Sequence, residues 1–451
     1  MAIRKRRLLL AGLVLAGLAV PVLRPSVEAV QPDPYFDRLA AALRNSAVQR
    51  PVALLDLDRV DANLAQIRAV LGRDAQYRAT TKSLPSYELL RHVLSAMGSN
   101  RVMEFHAPYL RPLIEHWVQI DPSASQPGPT QLDILLGKPL PTGEVDAFYA
   151  NPPPADKLAA TRIRWLVDHE SRLAEYLAIA QSRGQRLDIV IELDVGLHRG
   201  GVPHHDALRR MMATLAAHPT QLRFAGLMGY EGHVPYAPPL LQSSSAAQAQ
   251  AFVDAQKQLA AYRDVLKKEF ATLIHDEPLI NSGGSKTFPR YRQNGTWQSP
   301  ANELAIGSAV VKPADFDSEL LSALQPALFI VEPVLKRLSP GPLPHAESIG
   351  ALWAWWNRNR RDALFVYGGG WDVKPVYPRG LFSHPLYNTR PVDTRIPNQT
   401  LLNVAASHPI QPGDFVFYRP QQGDVIVQFD EVLLVRDGKL VGTFRPLPRR
   451  L

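Results

Sequence analysis

The side chain best suited to covalent chemistry is Lys82, which ends the short segment Tyr77–Lys82. Thr80 and Thr81 favour extended backbone, and the following segment Ser83–Ser86 is typical of the start of a helix. A lysine at the carboxyl end of a strand, just before a helix, lies where α/β folds place catalytic groups. On this segment alone, however, a solvated lysine at a strand end is the more common case.

Other reactive residue types follow other apolar runs in the same way. His106 and Lys138 each end such a run, and three later runs end in Asp194–Gly201, Gly229–His233 and Asn281–Ser285. Each has an ordinary explanation, because glycine-rich turns are common loop closures and a histidine at a strand end is usually solvated. Since parallel strands bring their carboxyl ends to one edge, we expect these residues to share a rim.

Two of these segments suit an anionic cofactor. The turn Ser282–Ser285 lets backbone N–H groups approach an anion closely, and its hydroxyls add donors, which suits a phosphate. Arg199 places a fixed cation at a strand end, suited to an acidic oxygen of a bound cofactor. A lysine, a phosphate site and an arginine on one rim are what pyridoxal phosphate (PLP) requires: an amine partner, a phosphate anchor and control of the ring electronics.

The elements that must position these residues alternate between strands and helices. Alternating strands and helices indicate parallel β/α units, and eight strands are the number that closes a (β/α)8 TIM-like barrel. The predicted strands are Val52–Asp56, Tyr77–Thr81, Arg101–Phe105, Leu132–Leu136, Ile163–Val167, Leu187–Asp194, Phe224–Gly229 and Leu279–Ser282. The predicted helices between them are Arg59–Leu71, Tyr87–Met97, Glu170–Arg183, His205–Ala217 and Ala246–Leu273, after a lead-in helix over Gln31–Arg50.

After about Ala309 the pattern changes to prolines and short apolar runs without clear helices. The predicted strands there are Ala327–Val331, Ala363–Tyr367, Asp414–Tyr418, Val425–Phe429, Val432–Arg436 and Lys439–Phe444. Asp437-Gly438 between the last two is a strong hairpin signal. Trp353, Trp355 and Trp356 are interpreted as packing of this region rather than as a binding platform. The sequence thus predicts a barrel domain over 31–310 and a mainly β domain over 311–451.

With these motifs in place, the chain resembles the fold-type III PLP enzymes, whose barrel is alanine racemase-like. Within them it is similar to the D-threonine aldolase and D-serine dehydratase-like branch. The barrel stretches that carry the resemblance are VALLDLDRVDANL, YRATTK, DILLGKP, IELDVGLHRGGV, AGLMGYEGH and NSGGSKT, across roughly residues 50–310. GDFVFYRP and FDEVLLVRDGKLVG are similar to the terminal β domain of that branch.

The resemblance implies a role for each rim residue. Lys82 would form the internal aldimine and Arg199 would lie near the ring hydroxyl of PLP. Tyr230 and His233 would line the substrate side, with Tyr230 also contacting the cofactor. The phosphate would be held by the turn residues Ser282, Gly283, Gly284 and Ser285. The resemblance also implies a homodimer in which the β domain of the partner closes each active site.

Two departures from the family pattern bear on the chemistry. The family has Arg-Pro-His-x-Lys where this chain has Arg78-Ala79-Thr80-Thr81-Lys82. The branch also binds a divalent metal through a histidine and, two positions later, a cysteine or aspartate. Here Asp424 matches the second ligand, but Gln422 replaces the histidine, and a glutamine oxygen is a weak ligand. Asp424 alone makes a poor metal site unless His408 or a water completes it.

The predicted function is that of a PLP-dependent lyase of the D-threonine aldolase or D-serine dehydratase type, acting on a D-amino acid. In such a reaction His233 could deprotonate the substrate hydroxyl as a general base. The alternatives are a PLP-dependent amino-acid racemase and a non-catalytic barrel that binds PLP. A barrel enzyme without PLP, using Glu231 and His233 for acid–base work, also remains open.

The ends of the chain indicate its location and exclude one class of partner. Arg4–Arg7 precede an apolar run, Leu8–Leu23, which as a helix would span roughly 24 Å, short of the roughly 30 Å hydrocarbon core. Residues 1–30 therefore predict an export signal with Val27–Ala29 as a cleavage site, or a signal anchor, and a periplasmic location. The net charge of +8 comes largely from terminal clusters, which argues against nucleic-acid binding. The absence of cysteine excludes disulfides and thiolate chemistry.

Overall fold

The structure is a computed structural model that describes residues 24–117, 131–274, 277–343, 346–383 and 399–447. The apolar run Leu8–Leu23, on which the predicted export signal rests, lies outside these residues. Among the helices that are described, none is both long enough and apolar enough to cross a membrane.

The chain forms two compact units, each assembled from separate stretches. The first comprises residues up to Leu54 together with Leu328–Gln421 and Leu433–Gly442. The second comprises Leu55–Ala327, Gln422–Val432 and the residues from Thr443 onward. This division differs from the predicted continuous domains 31–310 and 311–451, because residues distant in sequence join the same sheet or the same barrel.

The second unit is built on a closed barrel of eight parallel strands, which confirms the predicted fold class. In chain order the barrel strands are β2 (Gln76–Thr80), β3 (Arg101–Glu104), β4 (Leu132–Leu136), β5 (Thr161–Val167), β6 (Leu187–Leu193), β7 (Leu222–Gly229), β8 (Leu279–Ser282) and β11 (Glu303–Ile306). β11 closes the barrel by pairing with both β8 and β2.

One predicted barrel strand is wrong. Val52–Asp56 (β1) is a strand, but it belongs to a separate nine-stranded sheet, and β11 takes the eighth place in the barrel. A buried apolar run does not specify which sheet it joins, since its periodicity is the same in either. β11 was missed because only the short hairpin of β9 (Arg292–Gln293) and β10 (Thr296–Trp297) precedes it, instead of a long crossover helix.

Local signals determine the helices around the barrel. Ser86 accepts a hydrogen bond from the Leu89 N–H at 3.4 Å and starts one helix, which Gly98 ends at a φ of 60°. The helices of this unit are Leu57–Leu71, Tyr87–Met97, Ala107–His116, Thr142–Ala150, Ala155–Ala159, Glu170–Arg183, His205–Ala217, Ser244–Glu269 and Ser308–Val311. Short 3-10 helices at Thr81–Ser83 and Gly423–Gln428 also belong to it, so the predicted strand Val425–Phe429 is wrong.

Paired charges fill the amino-terminal half of the barrel interior. Arg78 is fully buried and donates to Glu303 (2.5 Å) and to Asp133 (2.8 Å). Arg164 reaches Asp133 from the other side at 2.7 Å. Burial alone would raise the pKa of Asp133, but Arg78 and Arg164 outweigh it and hold that pKa below its usual range. These pairs give the polar interior of the barrel a definite arrangement.

The first unit is a mainly β structure with its own core. One helix, Pro34–Arg44, is capped by Asp33 and packs Leu39 and Leu43 into the same cluster as Phe329 and Phe417. A second helix, Glu347–Trp356, was not expected from the sequence. The strands outside the barrel include β12 (Leu328–Leu338), β13 (Asp362–Val366), β14 (Val373–Tyr377), β15 (Phe382–Ser383), β16 (Thr400–Val404), β17 (Phe415–Pro420), β18 (Val432–Arg436) and β19 (Lys439–Phe444).

The predicted hairpin at the end of this unit is confirmed. β18 and β19 are neighbours in the sheet, and Asp437 and Gly438 between them have φ values of 49° and 70°. Positive φ at both turn residues is what the Asp-Gly pair favours.

Candidate active site

A cavity of about 680 Å³ opens at the carboxyl ends of the barrel strands. Lys82 lines it from the short 3-10 helix that directly follows β2. Two hydrogen bonds set this turn: the Thr81 hydroxyl donates to the Met103 carbonyl at 2.9 Å, and the Leu84 N–H donates to the Thr81 carbonyl at 3.1 Å. The backbone therefore fixes the point from which the lysine enters the cavity.

The surroundings of Lys82 favour its neutral amine. Its Nζ lies 4.4 Å from the centre of the Phe105 ring. The Lys82 side chain is exposed to the cavity, and the protein atoms around it partly desolvate its amine, which lowers the pKa of Lys82. Arg199 and Lys138 lower the pKa further, while Asp424 opposes them. A lysine with a lowered pKa is a better nucleophile at neutral pH.

The predicted phosphate turn lies in the same cavity, with one exception. Gly283, Gly284 and Ser285 line it, whereas Ser282 does not. The Ser282 hydroxyl is buried and donates to the Gly229 carbonyl at 2.8 Å. Gly283 has a φ of 84°, a conformation that suits glycine. The sequence motif predicted this turn as the phosphate site but could not show which of its donors face inward.

The backbone of this turn has free donors. Among the described residues, none accepts a hydrogen bond from the N–H groups of Gly284, Ser285 and Lys286. Consecutive N–H groups without partners form a concave anion site. These donors, with Lys82 and Arg199 in the same cavity, fit the phosphate, aldehyde and ring of PLP.

Arg199 and Tyr230 face each other across part of the cavity wall. The guanidinium carbon of Arg199 lies 5.2 Å from the Tyr230 ring centre, and both residues line the cavity. The loop that carries Arg199 is held by Asp194, which accepts hydrogen bonds from the N–H groups of Gly196 and His198, both at 3.0 Å. Burial raises the pKa of the Tyr230 hydroxyl, and Glu231 adds to that shift.

Glu192 is a site residue that the sequence analysis missed. It lies near the end of β6, lines the cavity, and approaches the Arg199 guanidinium at 3.9 Å. Burial raises its pKa to about 7, which Arg199 opposes and the neighbouring Asp168 supports. Asp168, at the end of β5, also lines the cavity and was missed. Asp168 could have been found from its position directly after a predicted strand, whereas Glu192 lay inside the predicted strand Leu187–Asp194 and gave no such signal.

A second polar group forms at another part of the cavity wall. Lys286 donates to the Tyr236 hydroxyl and to Asp315, each at 2.7 Å. Gln422 donates to the same Asp315 oxygen at 2.9 Å. Lys286, Asp315 and Gln422 therefore form one hydrogen-bonded group, which sequence analysis did not predict because its members are far apart in the chain.

The metal site implied by the resemblance does not fit these residues. Gln422 uses its amide to donate to Asp315, and Asp424, which lines the cavity nearby, supplies a single carboxylate. His408 instead bonds to the Arg379 carbonyl at 2.9 Å. Within the described ranges, no group of three or more histidine, aspartate or glutamate side chains is placed to hold an ion.

Two predicted rim histidines do not line the cavity. His233 packs near Gly196, where an added Cβ would lie 3.0 Å from the His233 Nε2, and burial lowers the pKa of His233. His106 caps a helix at the end of β3, and its pKa is lowered by burial and by Lys138. Lys138 itself does line the cavity. Their positions at strand ends predicted that His106, Lys138 and His233 lie on the rim. These positions could not predict which of the three side chains point into the cavity.

Thr80, which replaces the family histidine, packs tightly against a glycine. A Cβ added at Gly307 would lie 1.7 Å from the Thr80 Oγ1. Thr80 lines the cavity, so this contact shapes the wall beneath Lys82.

Comparison with known proteins agrees with the barrel fold. Residues 55–272 match the family model of the alanine racemase N-terminal domain. No curated protein matches the chain significantly.

Solved structures with the same fold cover nearly the whole chain. A D-threonine aldolase from Filomicrobium marinum has 19% identity and a TM-score of 0.64, over 90% of this chain and 98% of its own. The D-threo-3-hydroxyaspartate dehydratase from Delftia sp. HT23 has 16% identity and a TM-score of 0.59, over 89% and 98%. An alanine racemase from Bacillus anthracis has 14% identity and a TM-score of 0.59, also over 89% and 98%. At such identities the likeness establishes the fold alone.

Proposed function

Because the barrel of this chain is an alanine racemase N-terminal domain, of the fold-type III PLP group, we propose that the protein is a PLP-dependent lyase acting on a D-amino acid. The reaction would be of the D-threonine aldolase or D-serine dehydratase type. One observation carries the proposal: Lys82, Arg199 and the Gly283–Ser285 turn line the same cavity at the carboxyl ends of the strands.

The residues of the chain have distinct tasks in this proposal. PLP, when bound, supplies an electron sink that stabilises negative charge at the substrate α-carbon. Lys82, whose pKa is lowered mainly by burial, supplies the amine that attacks a carbonyl, and the lowered pKa favours the neutral form that this attack needs. The free N–H groups after Gly283 bind a phosphate, and Arg199 holds the ring in place. Tyr230 is positioned on the wall where it can orient the substrate and exclude water.

His233 does not line the cavity, so it is poorly placed to remove a proton from the substrate. Lys82 does line it and can hold a proton at its Nζ once the amine has been released. We therefore assign proton transfer to Lys82 and keep His233 as a residue that supports the Gly196 loop.

Purified protein should bind PLP, and the absorbance of the bound cofactor should disappear in a Lys82→Ala variant. Incubation with D-threonine, D-serine and D-alanine then separates the reactions, with the L-enantiomers as controls. Aldehyde or keto acid from a β-hydroxy D-amino acid supports the proposal. The opposite enantiomer as the product would indicate a racemase, and PLP binding without turnover would indicate a binding protein. Protein that binds no PLP would overturn the proposal.

A racemase is the second candidate, and one observation favours it. Gln422 donates to Asp315, which also accepts from Lys286, so the Gln422 amide is held within this group and is not free to act on a β-hydroxyl. Exchange of the α-proton needs no such group. Solvent deuterium incorporation at the α-carbon of D-alanine, followed by chiral analysis, tests this candidate directly.

Two expectations about the protein in the cell stay proposals. We propose that residues 1–30 direct export to the periplasm or anchor the protein at the outer face of the inner membrane. We also propose a homodimer. Cell fractionation tests the first, since full-length protein in the cytosol would contradict it, and light scattering on the purified protein tests the second.

A further inference from the structure

One buried carboxylate of the second unit, Glu231, has no cationic partner in the part of the chain that the structure describes. It follows Tyr230 at the end of β7, and its side chain is completely buried. A buried carboxylate is costly unless donors surround it, so its hydrogen bonds identify what it does for the fold.

The donors to Glu231 lie in the phosphate turn and its flanks, and the buried Tyr291 hydroxyl also bonds to this carboxylate. Its Oε2 accepts from the Gly283 N–H at 3.1 Å and lies 3.2 Å from the Ser282 hydroxyl, whose single proton it shares with the Gly229 carbonyl. Its Oε1 accepts from the Thr287 hydroxyl at 2.5 Å. The carboxylate thus spans the turn and ties its first residues to its last.

The N–H groups that Glu231 leaves unused are those of Gly284, Ser285 and Lys286, between its points of attachment. These three residues line the cavity, and their N–H groups have no acceptor among the described residues. With both ends of the turn held, the middle cannot relax to bond its own N–H groups elsewhere. A site that is already arranged for its ligand loses less entropy on binding.

We propose that Glu231 is a positioning residue that holds the turn Ser282–Thr287 in the form that binds the phosphate group of PLP. This inference rests on the proposed function and assigns Ser282 a new role. Ser282 belongs with Thr287 to the group that orients Glu231, and the phosphate is bound by the backbone of Gly284, Ser285 and Lys286.

This geometry also argues against Glu231 as an acid or base. Both of its oxygens accept hydrogen bonds from the turn, and Glu231 does not line the cavity. The barrel enzyme without PLP that would use Glu231 and His233 therefore lacks access to its substrate.

The test compares PLP with pyridoxal, which has the same aldehyde and ring but no phosphate. Dissociation constants for both are measured by absorbance titration of the apoprotein. In Glu231→Leu, which cannot accept a hydrogen bond, we expect PLP affinity to fall about tenfold or more, since several phosphate contacts weaken together. Affinity for pyridoxal should change less than about twofold, because Lys82 is untouched.

Glu231→Gln serves as the conservative variant. Its amide oxygen can still accept from Ser282 and Gly283, and its NH₂ group can donate to the Thr287 hydroxyl, so affinity for PLP should recover most of the loss. Glu332→Leu is the matched control, because Glu332 is an equally buried carboxylate in the first unit. It should leave the ratio of the two dissociation constants unchanged.

The outcomes separate this inference from the proposed function. If Glu231→Leu loses affinity for PLP and pyridoxal equally, or loses neither, the proposed role of Glu231 is overturned. The proposed function is not affected by that result as long as the wild type binds PLP. Wild-type protein that binds neither compound overturns the proposed function itself. If Glu231→Leu does not fold, the same two titrations of Thr287→Val, which removes one donor to Glu231, decide. A loss of PLP affinity larger than the loss of pyridoxal affinity supports the proposal, and equal losses or no loss overturn it.

Discussion

In the amino-terminal half of the barrel, Arg78 donates to Glu303 and Asp133 at 2.5 and 2.8 Å, and Arg164 completes the set at 2.7 Å. At the carboxyl rim, Glu192 lies 3.9 Å from Arg199. The interior charges are close, buried and satisfied by one another, whereas the rim pair is loose and joins a buried Glu192 to an exposed Arg199. Removing one member of a buried pair leaves its partner charged and unpaired, so such pairs hold a structure in place, whereas charges without full pairing remain available to a ligand.

The pKa directions in the two regions are opposite. Arg78 overcomes the effect of burial and lowers the pKa of Glu303, so that carboxyl is held ionised. At the rim, burial prevails and raises the pKa of Glu192 to about 7. The same strands thus carry a structural region at one end and a reactive region at the other.

The largest effect is expected from Lys82→Ala, which removes the amine at the rim. Activity should fall on the order of 10⁴-fold or more, as when a covalent nucleophile is lost. The free energy of unfolding of the apoprotein should change little, because Lys82 makes no buried ion pair. Steady-state assays and urea titrations measure the two effects. Lys257→Ala, at an exposed lysine on the helix Ser244–Glu269, is the matched control and should change neither.

In the interior of the barrel, the main expected effect of a substitution is a loss of stability. Arg78→Met should lower the free energy of unfolding by about 3–5 kcal/mol, because Glu303 loses its closest buried partner. Urea denaturation of the apoprotein measures the loss. Arg68→Met, at an exposed arginine, should have almost no effect. If Arg78→Met were as stable as the wild type, the interior charges would not be a structural element.

The next largest effect is expected in the pH dependence of stability, which differs between the interior and the rim of the barrel. Because the folded-state pKa of Glu192 is raised from 4.5 to about 7, its contribution to stability is present at low pH and is lost as the pH rises through that range. Glu192→Gln should therefore gain about 2–3 kcal/mol over the wild type between pH 5 and pH 8. Interior carboxylates such as Glu303 have lowered pKa values and contribute the opposite dependence, losing stability only in acid.

Urea titrations of the apoprotein at both pH values measure this difference. Burial also raises the pKa of Glu332, in the first unit, to about 7. Because Glu332 is present in both the wild type and Glu192→Gln, its effect on stability cancels when the two are compared. Parallel stability profiles for the variant and the wild type would contradict the assignment to Glu192.

The smallest effect is expected at the pair of Lys286 and Asp315. Their side chains are 20% and 40% exposed, so the pair is screened by solvent although its distance is 2.7 Å. Lys286→Met should cost no more than about 1 kcal/mol of unfolding free energy. A loss as large as that of Arg78→Met would show that this part of the rim is structural, and the contrast between the two regions would fail.

Much of the fold could be predicted from local patterns. The helices Tyr87–Met97, Glu170–Arg183 and His205–Ala217 were predicted with the bounds that the structure has, since capping residues and apolar periodicity are local. The strand β1 was also predicted, but its sheet was not. Which partner a strand takes depends on long-range contacts, and the sequence of one strand contains no record of them.

The sequence by itself determined the type of fold, the strand ends and the presence of a lysine, an arginine and a glycine-rich turn that suit one cofactor. Only the tertiary structure decided which of these groups share the cavity. It turned Ser282 and His233 away from the cavity and brought Glu192, Asp168 and Asp315 to its wall. The physical reason is that side-chain direction at a strand end depends on the neighbouring strands and loops. Glu231 shows this best, because its role follows from donors more than 50 residues away along the chain.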